Sequence, residues 1–278
     1  MAISNFQQTL WSKKIQLQLD TVTSLRKHSD YQFQGDIKNA KELKILGVTR
    51  PTIRPYTPGS SLTREAGTDS SQTLELNQYR YFDFEVEDID QAQSVPGLIE
   101  ALTKEANMGL VESADSYIAG LINTNIASLN VGTKTDISGV SDGGISLIEA
   151  GFKKLYENNC KVNDEYFLEI NPEWYTILRP EILELDTNNS DLIRKGFVGM
   201  YGNAKISVEN LLYKGTYDGT SNVTFCMLRT SKAIAYAETL RKVEAYRPHD
   251  AFQDAIKALY VFGAKIVRPE QLYVFPIY

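Results

Sequence analysis

The sequence predicts an α+β fold, because one long helical pattern is followed by a region in which helical and strand-like segments alternate. From Ser94 to about Asn130, apolar residues recur at intervals of three and four, the spacing of a helix that buries one face. Beyond Ile145, amphipathic segments alternate with short apolar runs bounded by glycine, proline and asparagine. A chain of 278 residues can bury a substantial core in one or two domains.

An amphipathic N-terminal arm is predicted for residues 1–31. Leu10, Trp11, Ile15 and Leu19 follow helical spacing, with lysine and glutamine between them. Because this stripe precedes any domain core, we expect it to pack against the body of its own chain or against a neighbouring subunit.

Residues 32–90 predict an extended β loop with a polar tip. Glu42–Val48 has the pattern of one strand, and residues 73–88 return as a second strand with a register change near Asn77–Tyr81. Between them, Thr57–Gln72 is rich in serine, threonine and glycine and is too polar to be buried. Such a two-stranded ribbon is marginally stable alone in water, so it needs a partner surface.

The rest of the chain divides into three predicted parts. Residues 91–144 carry the long helix, which Ser94 can cap and which extends about 45 Å at about 1.5 Å per residue. Residues 145–240 predict a compact α/β domain, and residues 241–278 predict returning strands that close with a ribbon around Gly263. The finer predictions are a helix at Ile145–Tyr156, a buried strand at Glu165–Ile170, a capped helix start at Asn171–Pro172, and separate strands at Ala233–Glu238 and Val243–Arg247.

Composition argues against several classes of protein. A net charge of -6 and a pI near 5.2 disfavour a protein that grips phosphates, because that task needs clustered lysine and arginine. Cys160 and Cys226 have no metal-binding spacing, so we expect free thiols in a reducing compartment. The first residues contain no unbroken apolar stretch and no apolar run is long enough to span a membrane, so we expect cytosolic synthesis and no membrane partner.

The motifs that would carry catalysis are weak. The chain has two histidines, His28 and His249, and adjacent residues such as His249 and Asp250 rarely point at each other. The glycine-rich stretch at 196–202 lacks the lysine and serine of a phosphate loop, and the carboxylates of Glu85–Asp90 lack the spacing of a calcium loop. We therefore expect no enzyme activity, no cofactor and no metal site.

Basic residues recur along the β loop, and two interpretations of them stay open. They form either a charged edge that prevents aggregation or a set of ion-pair partners for acidic groups of a neighbouring subunit. The candidate interface residues are Trp11, Lys44, Arg50, Arg54, Arg64, Glu65 and Arg80.

The order of these segments resembles the Hong Kong 97 type capsid fold of tailed bacteriophages. The stretches FQGDIKNAKELKILGVTRPTIRPY and FDFEVEDIDQAQ are similar to the family's entry to and exit from the extended loop. RKGFVGMYGNAKISVENLL is similar to the glycine-rich turn of its axial domain, and AIAYAETLRKVEAYRPHDAFQDAIKALYVFGAKIVRP to its returning strands. The resemblance implies an N-terminal arm (1–31), an extended β loop (32–90), a peripheral domain with a spine helix (91–144), an axial domain (145–240) and returning strands of the peripheral domain (241–278).

The resemblance also implies a function. We expect a major capsid protein that assembles without cross-links into hexamers and pentamers, with portal and scaffolding proteins as partners and DNA enclosed without specific binding. Its expected location is the virion capsid, with assembly in the host cytoplasm. Two alternatives stay open: an encapsulin-like compartment shell, and a monomeric α+β binding protein.

Overall fold

A computed structural model describes residues 23–33, 42–48, 52–55, 58–59, 61, 69–87, 98–184, 199–249 and 253–278. It contains both strands and helices. In chain order they are β1 (Glu42–Val48), β2 (Asp69–Glu75), β3 (Gln78–Glu87), α1 (Leu98–Asn125), β4 (Asn130–Val131), α2 (Ile145–Glu157), β5 (Tyr166–Ile170), α3 (Pro172–Glu184), β6 (Met200–Tyr201), β7 (Ala204–Val208), β8 (Lys214–Tyr217), β9 (Thr220–Thr230), β10 (Ile234–Tyr246), β11 (Gln253–Ile266) and β12 (Leu272–Ile277).

These strands form three sheets. The seven-stranded sheet has the order β4-β12-β9-β5-β7-β6, and β8 also pairs with β9. A three-stranded sheet has the order β10-β11-β3, and β1 and β2 form a separate antiparallel pair, the hairpin. The α+β class predicted from the sequence is confirmed.

The seven-stranded sheet contains the main core. All five residues of β5 are buried, as expected for a central strand with apolar neighbours on both faces. Trp174 on α3 is fully buried, packs edge to face on Phe275 of β12 at 5.2 Å, and donates its indole N–H to the Gly143 carbonyl at 3.0 Å. Asn171 caps α3, since its side-chain oxygen accepts the Trp174 N–H at 3.1 Å, which confirms the predicted helix start.

The long helix α1 covers one face of the three-stranded sheet. Its 28 residues correspond to about 42 Å at about 1.5 Å per residue. Ala114, Ile118 and Ile122 are buried at intervals of four, and Tyr117 packs edge to face on Phe262 of β11 at 5.8 Å. The predicted cap, Ser94, lies outside the described residues.

Two predictions about the strands were wrong. The strands predicted at Ala233–Glu238 and Val243–Arg247 are one continuous strand, β10, with a bulge between Glu238 and Leu240. Gly263 lies inside β11 and not at the bend of a ribbon. A Cβ added to Gly263 would lie 2.1 Å from the backbone oxygen of Glu75, so the glycine allows the root of the hairpin to cross the sheet closely.

The predicted returning strands, residues 241–278, contribute to two different sheets. Within residues 241–278, β12 pairs with β9 and β4 in the seven-stranded sheet, whereas β11 pairs with β3 and β10. Alternating patterns indicate that a strand exists but do not identify its partners, so the sequence did not specify these pairings. The five domain boundaries themselves stay a prediction.

The ribbon predicted in the β loop is present, although its second strand is divided. β1 pairs with β2 from Glu42 opposite Glu75 to Val48 opposite Asp69. After Leu76 and Asn77 the chain continues as β3, which pairs with β11 instead. The register change predicted near Asn77–Tyr81 therefore marks the point where the chain passes from one sheet to another.

Candidate assembly surfaces and the anchor of the N-terminal segment

The hairpin has one face packed on its own chain and one face exposed. Leu43 and Ile45 of β1 pack on a buried cluster that includes Leu74 and Val261. The alternate residues point outward, so Leu46 is 72% exposed. The chain thus anchors the root of the hairpin and leaves apolar surface on its outer side.

The outer face of the three-stranded sheet, opposite α1, carries an apolar stripe. Leu259 of β11 lies directly opposite Tyr81 of β3, and Val261 lies opposite Tyr79. Residues opposite each other in an antiparallel pair project to the same face. Tyr79 is 54% exposed and Tyr81 is 77% exposed, and Leu259 is also exposed. Exposed aromatic groups gathered in this way are typical of protein interfaces.

Beside this stripe, the polar groups already have partners on the same chain. The hydroxyl of Tyr246 donates to the Asp83 carboxylate at 3.0 Å. Lys257 pairs with Glu244 at 3.5 Å, and its ammonium lies 4.8 Å from the centre of the Tyr246 ring. The stripe of Tyr79, Tyr81 and Leu259 is therefore the part of this face that gains most from being covered.

The predicted interface residues do not come together within one chain. Lys44 is exposed on β1, and Arg54 is exposed in the segment 52–55. Arg80 is exposed on β3 and donates to Gln78 at 3.4 Å. Trp11, Arg50, Arg64 and Glu65 lie outside the described residues. A role for this set in contacts between subunits stays a prediction.

A buried ion pair in the seven-stranded sheet anchors the N-terminal segment. Arg229 of β9 and Glu169 of β5 are both fully buried. Arg229 donates to the two Glu169 carboxylate oxygens at 2.9 and 2.8 Å, the bidentate geometry that makes such pairs strong. The remaining guanidinium hydrogens donate to the carbonyl oxygens of His28, at 3.0 Å, and Leu25, at 2.8 Å. The ion pair thus fixes the backbone of a segment about 200 residues away in sequence.

His28 completes this anchor. Its ring stacks on Phe167 at 4.0 Å, and Nδ1 lies 2.9 Å from the Glu169 carboxylate. Burial alone raises the pKa of Glu169, but the Arg229 guanidinium and His28 outweigh burial and hold that pKa below its ordinary value. Sequence reasoning missed this cluster. The available signal was a charged residue within each of two otherwise apolar strands, YFLEI and TFCMLRT.

The same segment also contacts α1 and the three-stranded sheet. The Arg26 N–H donates to Asp115 of α1 at 3.0 Å, and the Arg26 guanidinium donates to Glu238 of β10 and Tyr260 of β11, both at 3.2 Å. Farther along, Asp30 pairs through its backbone with β10. Residues 24–30 therefore tie α1 and both larger sheets together, and we call them the strap.

Groups able to hold a metal were not found in the part of the chain that the structure describes. Over the same residues, none of the helices has the length and apolar character needed to cross a membrane. Cys160 and Cys226 are buried and free, as the sequence predicted. His249 is exposed, and Asp250 lies outside the described residues.

The chain is similar in structure to several solved proteins. No family model and no curated protein sequence matches the chain. A solved structure described as "Mycobacterium phage Che8" is 27% identical, covers 99% of this chain and 98% of its own, and has a TM-score of 0.82. "Capsid structure of the Cyanophage P-SCSP1u" is 13% identical, covers 100% of this chain and 95% of its own, and has a TM-score of 0.78.

A further likeness is weaker. "Crystal structure of virus-like particle from Pyrococcus furiosus" is 15% identical, covers 91% of each chain and has a TM-score of 0.53. The phage structures match this chain over nearly its whole length and nearly all of their own, through the hairpin, the long helix and both larger sheets. The chain therefore has the Hong Kong 97 type fold of tailed-bacteriophage major capsid proteins.

Proposed function

We propose that the chain is the major capsid protein of a tailed bacteriophage, which self-assembles into the icosahedral shell that encloses the phage DNA. The observation that carries this proposal is the likeness to phage capsid structures over essentially the whole chain. The chain is a structural protein of the virion capsid and works by binding further copies of itself. Its function therefore depends on surfaces rather than on a catalytic centre.

Two exposed features support assembly through contacts between copies. The hairpin presents Leu46, and the outer face of the three-stranded sheet presents Tyr79, Tyr81 and Leu259. Apolar and aromatic groups that stay exposed in the single chain become favourable contacts when a neighbour covers them. Each contact is modest, but a subunit with several neighbours gains from all of them at once, because the first contact raises the effective concentration for the next.

Charge supports the same arrangement. Residues 34–68, around the hairpin, hold six lysines and arginines against three aspartates and glutamates, a net charge of +3. Residues 75–90 hold six acidic residues against one arginine, a net charge of -5. The basic loop of one copy therefore complements the acidic β3 region of its neighbour and fixes the register of the contact. Lys44 and Arg54 act in these contacts from the basic loop, and Arg80 acts within the acidic β3 region of the neighbour.

The finer assignments follow from the same proposal. The shell contains hexamers and pentamers, a portal protein and a scaffolding protein take part in its assembly, and assembly occurs in the host cytoplasm. The net charge of -6 keeps the packaged DNA from adhering to the wall. A gel-shift assay of the purified protein with duplex DNA at moderate salt tests this last point. We expect no retardation, and retardation would contradict it.

An encapsulin-like compartment is the nearest alternative, because it is also a closed shell of this fold. The phage interpretation is favoured by the higher TM-scores and fuller coverage of the phage structures than of the virus-like particle. A monomeric binding protein is disfavoured, because the exposed aromatic stripe and the hairpin have no use in a lone globule.

Sedimentation velocity with negative-stain electron microscopy tests the proposal. The protein expressed alone is measured at low and high concentration. Shells, or capsomers in equilibrium with subunits, are expected, and their diameter separates phage heads from small compartments. A strictly monomeric protein at every concentration, even with crowding agents and co-expressed lysate, would contradict the proposal.

A further inference from the structure

Besides its contacts with Arg229, the strap donates two backbone N–H groups to buried carboxyl groups. The Ser24 N–H donates to Glu209 at 3.1 Å, and the Ser24 hydroxyl also donates to this carboxylate. The Arg26 N–H donates to Asp115 at 3.0 Å. Both carboxyl side chains belong to residues that are completely buried. Two amides of the strap thus depend on side chains from elsewhere in the chain and not on regular secondary structure.

Each of these carboxyl groups has one oxygen without a partner. Among the buried polar atoms of the described residues, Asp115 Oδ2 and Glu209 Oε2 accept no hydrogen bond. An ionised carboxylate that is buried with an unused oxygen is unfavourable, whereas the neutral acid loses much less on leaving water. The geometry therefore favours protonated groups when the strap is in place.

The charged surroundings act in the same direction. Glu169 of β5 lies near both groups, and the two groups lie near each other. The cations near Asp115 are Arg26 of the strap and Arg229 of β9. Arg229 is already engaged in two hydrogen bonds to Glu169. Three carboxyl groups therefore share two guanidinium groups in this part of the core.

Other charged and titratable residues surround the three carboxyl groups of Asp115, Glu169 and Glu209. Ser207 of β7 donates to Glu209 at 3.3 Å, and Lys214 and Glu173 line the same pocket as Glu209. The remaining titratable groups lie around Arg26 and Glu169, and one of them, Tyr31, also lies near enough to Asp115 to interact with it electrostatically. They are Glu238, Tyr260, Tyr236, Tyr31 and His28.

We propose that the strap docks on the core as a separate step from the folding of the two larger sheets, and that Asp115 and Glu209 make this docking depend on pH. The two larger sheets have their own ladders, and the strap contributes Leu25 to an apolar core formed mostly by other segments. The strap in turn depends on Arg229 and on the carboxyl cluster. Since the strap connects residues 1–22 to the core, its docking controls where the N-terminal arm starts. This inference is independent of the proposed function, because it concerns one chain.

The direction of the pH dependence follows from the two groups. Burial raises the pKa of Asp115 to about 6 and that of Glu209 to about 7, while the hydrogen bonds from the strap lower each pKa in part. Asp115 and Glu209 therefore hold protons when the strap is docked and release them when it is undocked. Their contribution to docking is fully present below the ordinary carboxyl pKa values of about 4, and it is lost as pH rises through about 6 and about 7. Glu169 has the opposite effect, because its pKa is lowered when the strap is docked. Its ionised carboxylate favours docking at pH values above its ordinary pKa, and this contribution is lost in acid.

Hydrogen–deuterium exchange of the full-length protein, followed by mass spectrometry, tests the inference between pH 5 and pH 8. Exchange of the peptide containing Ser24 and Arg26 is corrected for the intrinsic rate and compared with peptides from β5 and β9. In the wild-type protein we expect the ratio of undocked to docked strap to rise on the order of 1000-fold across this range, while the sheet peptides stay protected.

Variants separate this linkage from a general effect of pH. Asp115→Asn with Glu209→Gln keeps an oxygen for each amide but cannot ionise, so its strap exchange is expected to change less than about tenfold. Glu209→Gln alone is expected to remove the larger part of the pH response. This single variant replaces the double variant in the test if the double variant does not fold. Glu165→Gln, which changes an exposed partner of Lys205, is the matched control and retains the wild-type response. A strap that exchanges together with the sheets at every pH, or an unchanged pH response in the glutamine and asparagine variants, overturns the inference.

Discussion

The seven-stranded sheet and the outer face of the three-stranded sheet differ in which side chains they bury and which they expose. In the first, charged groups such as Arg229 and Glu169 are buried and fully bonded to each other and to the strap. In the second, Tyr79 and Tyr81 stay exposed while the charged groups beside them are paired at the surface. The difference is consistent with our proposal that the first region stabilises one chain, whereas the second forms contacts with another copy. Substitutions in the two regions should therefore change different measurable properties.

The largest effect on stability is expected from Arg229→Met. The change leaves the Glu169 carboxylate buried without its guanidinium and removes the donors to the Leu25 and His28 carbonyls. Breaking one side of a buried pair costs about 3–5 kcal/mol, so we expect the free energy of unfolding in urea to fall by this amount. The double variant Glu169→Leu with Arg229→Met removes both charges and should recover part of the loss. Wild-type stability in the single variant would mean that the pair does not anchor the strap.

A smaller loss is expected from Gly263→Ala, at the crossing of the hairpin root and β11. The new Cβ meets the Glu75 backbone oxygen at 2.1 Å, so one of the two strands must shift. We expect a loss of about 1–3 kcal/mol in thermal or urea unfolding, together with a change in hairpin position.

Gly109→Ala is the matched control for this crossing. Nothing lies within 4 Å of a Cβ at Gly109, which is exposed on α1. Alanine is the better helix former, so the control should gain up to about 1 kcal/mol. Equal effects from the two substitutions would show that the close crossing does not constrain the fold.

The smallest of the three effects is expected from Asn171→Ala, which removes the cap of α3. The Trp174 N–H then loses its acceptor in a buried position, at a cost of about 1 kcal/mol in urea unfolding. Asn171→Ser keeps a capping oxygen and should retain most of the stability. Because α3 belongs to the seven-stranded region, assembly at saturating concentration should be unaffected in both variants, and a selective assembly defect would contradict the division between the regions.

Local patterns predicted the elements well and their partners poorly. Helical spacing identified α1, and a buried apolar run identified β5, because both signals are contained within a few turns or residues. The pairing of β12 with β9, and the anchoring of the strap by Arg229, join segments far apart in the chain, and no local pattern encodes them. The basic residues of the loop were visible in the sequence, whereas the exposed stripe became evident only when β3 was paired with β11.

We propose that the outer face of the three-stranded sheet serves assembly and not folding. The direct test compares urea unfolding with the critical concentration for assembly in Tyr79→Thr with Tyr81→Thr, using the two Tyr→Phe changes as a control that keeps both rings. Threonine suits a strand, so we expect unfolding to change by no more than about 1 kcal/mol. The critical concentration should rise by more than about tenfold in the threonine variant and stay near wild type in the phenylalanine variant. Unimpaired assembly of the threonine variant would show that this face is not part of the contact between copies.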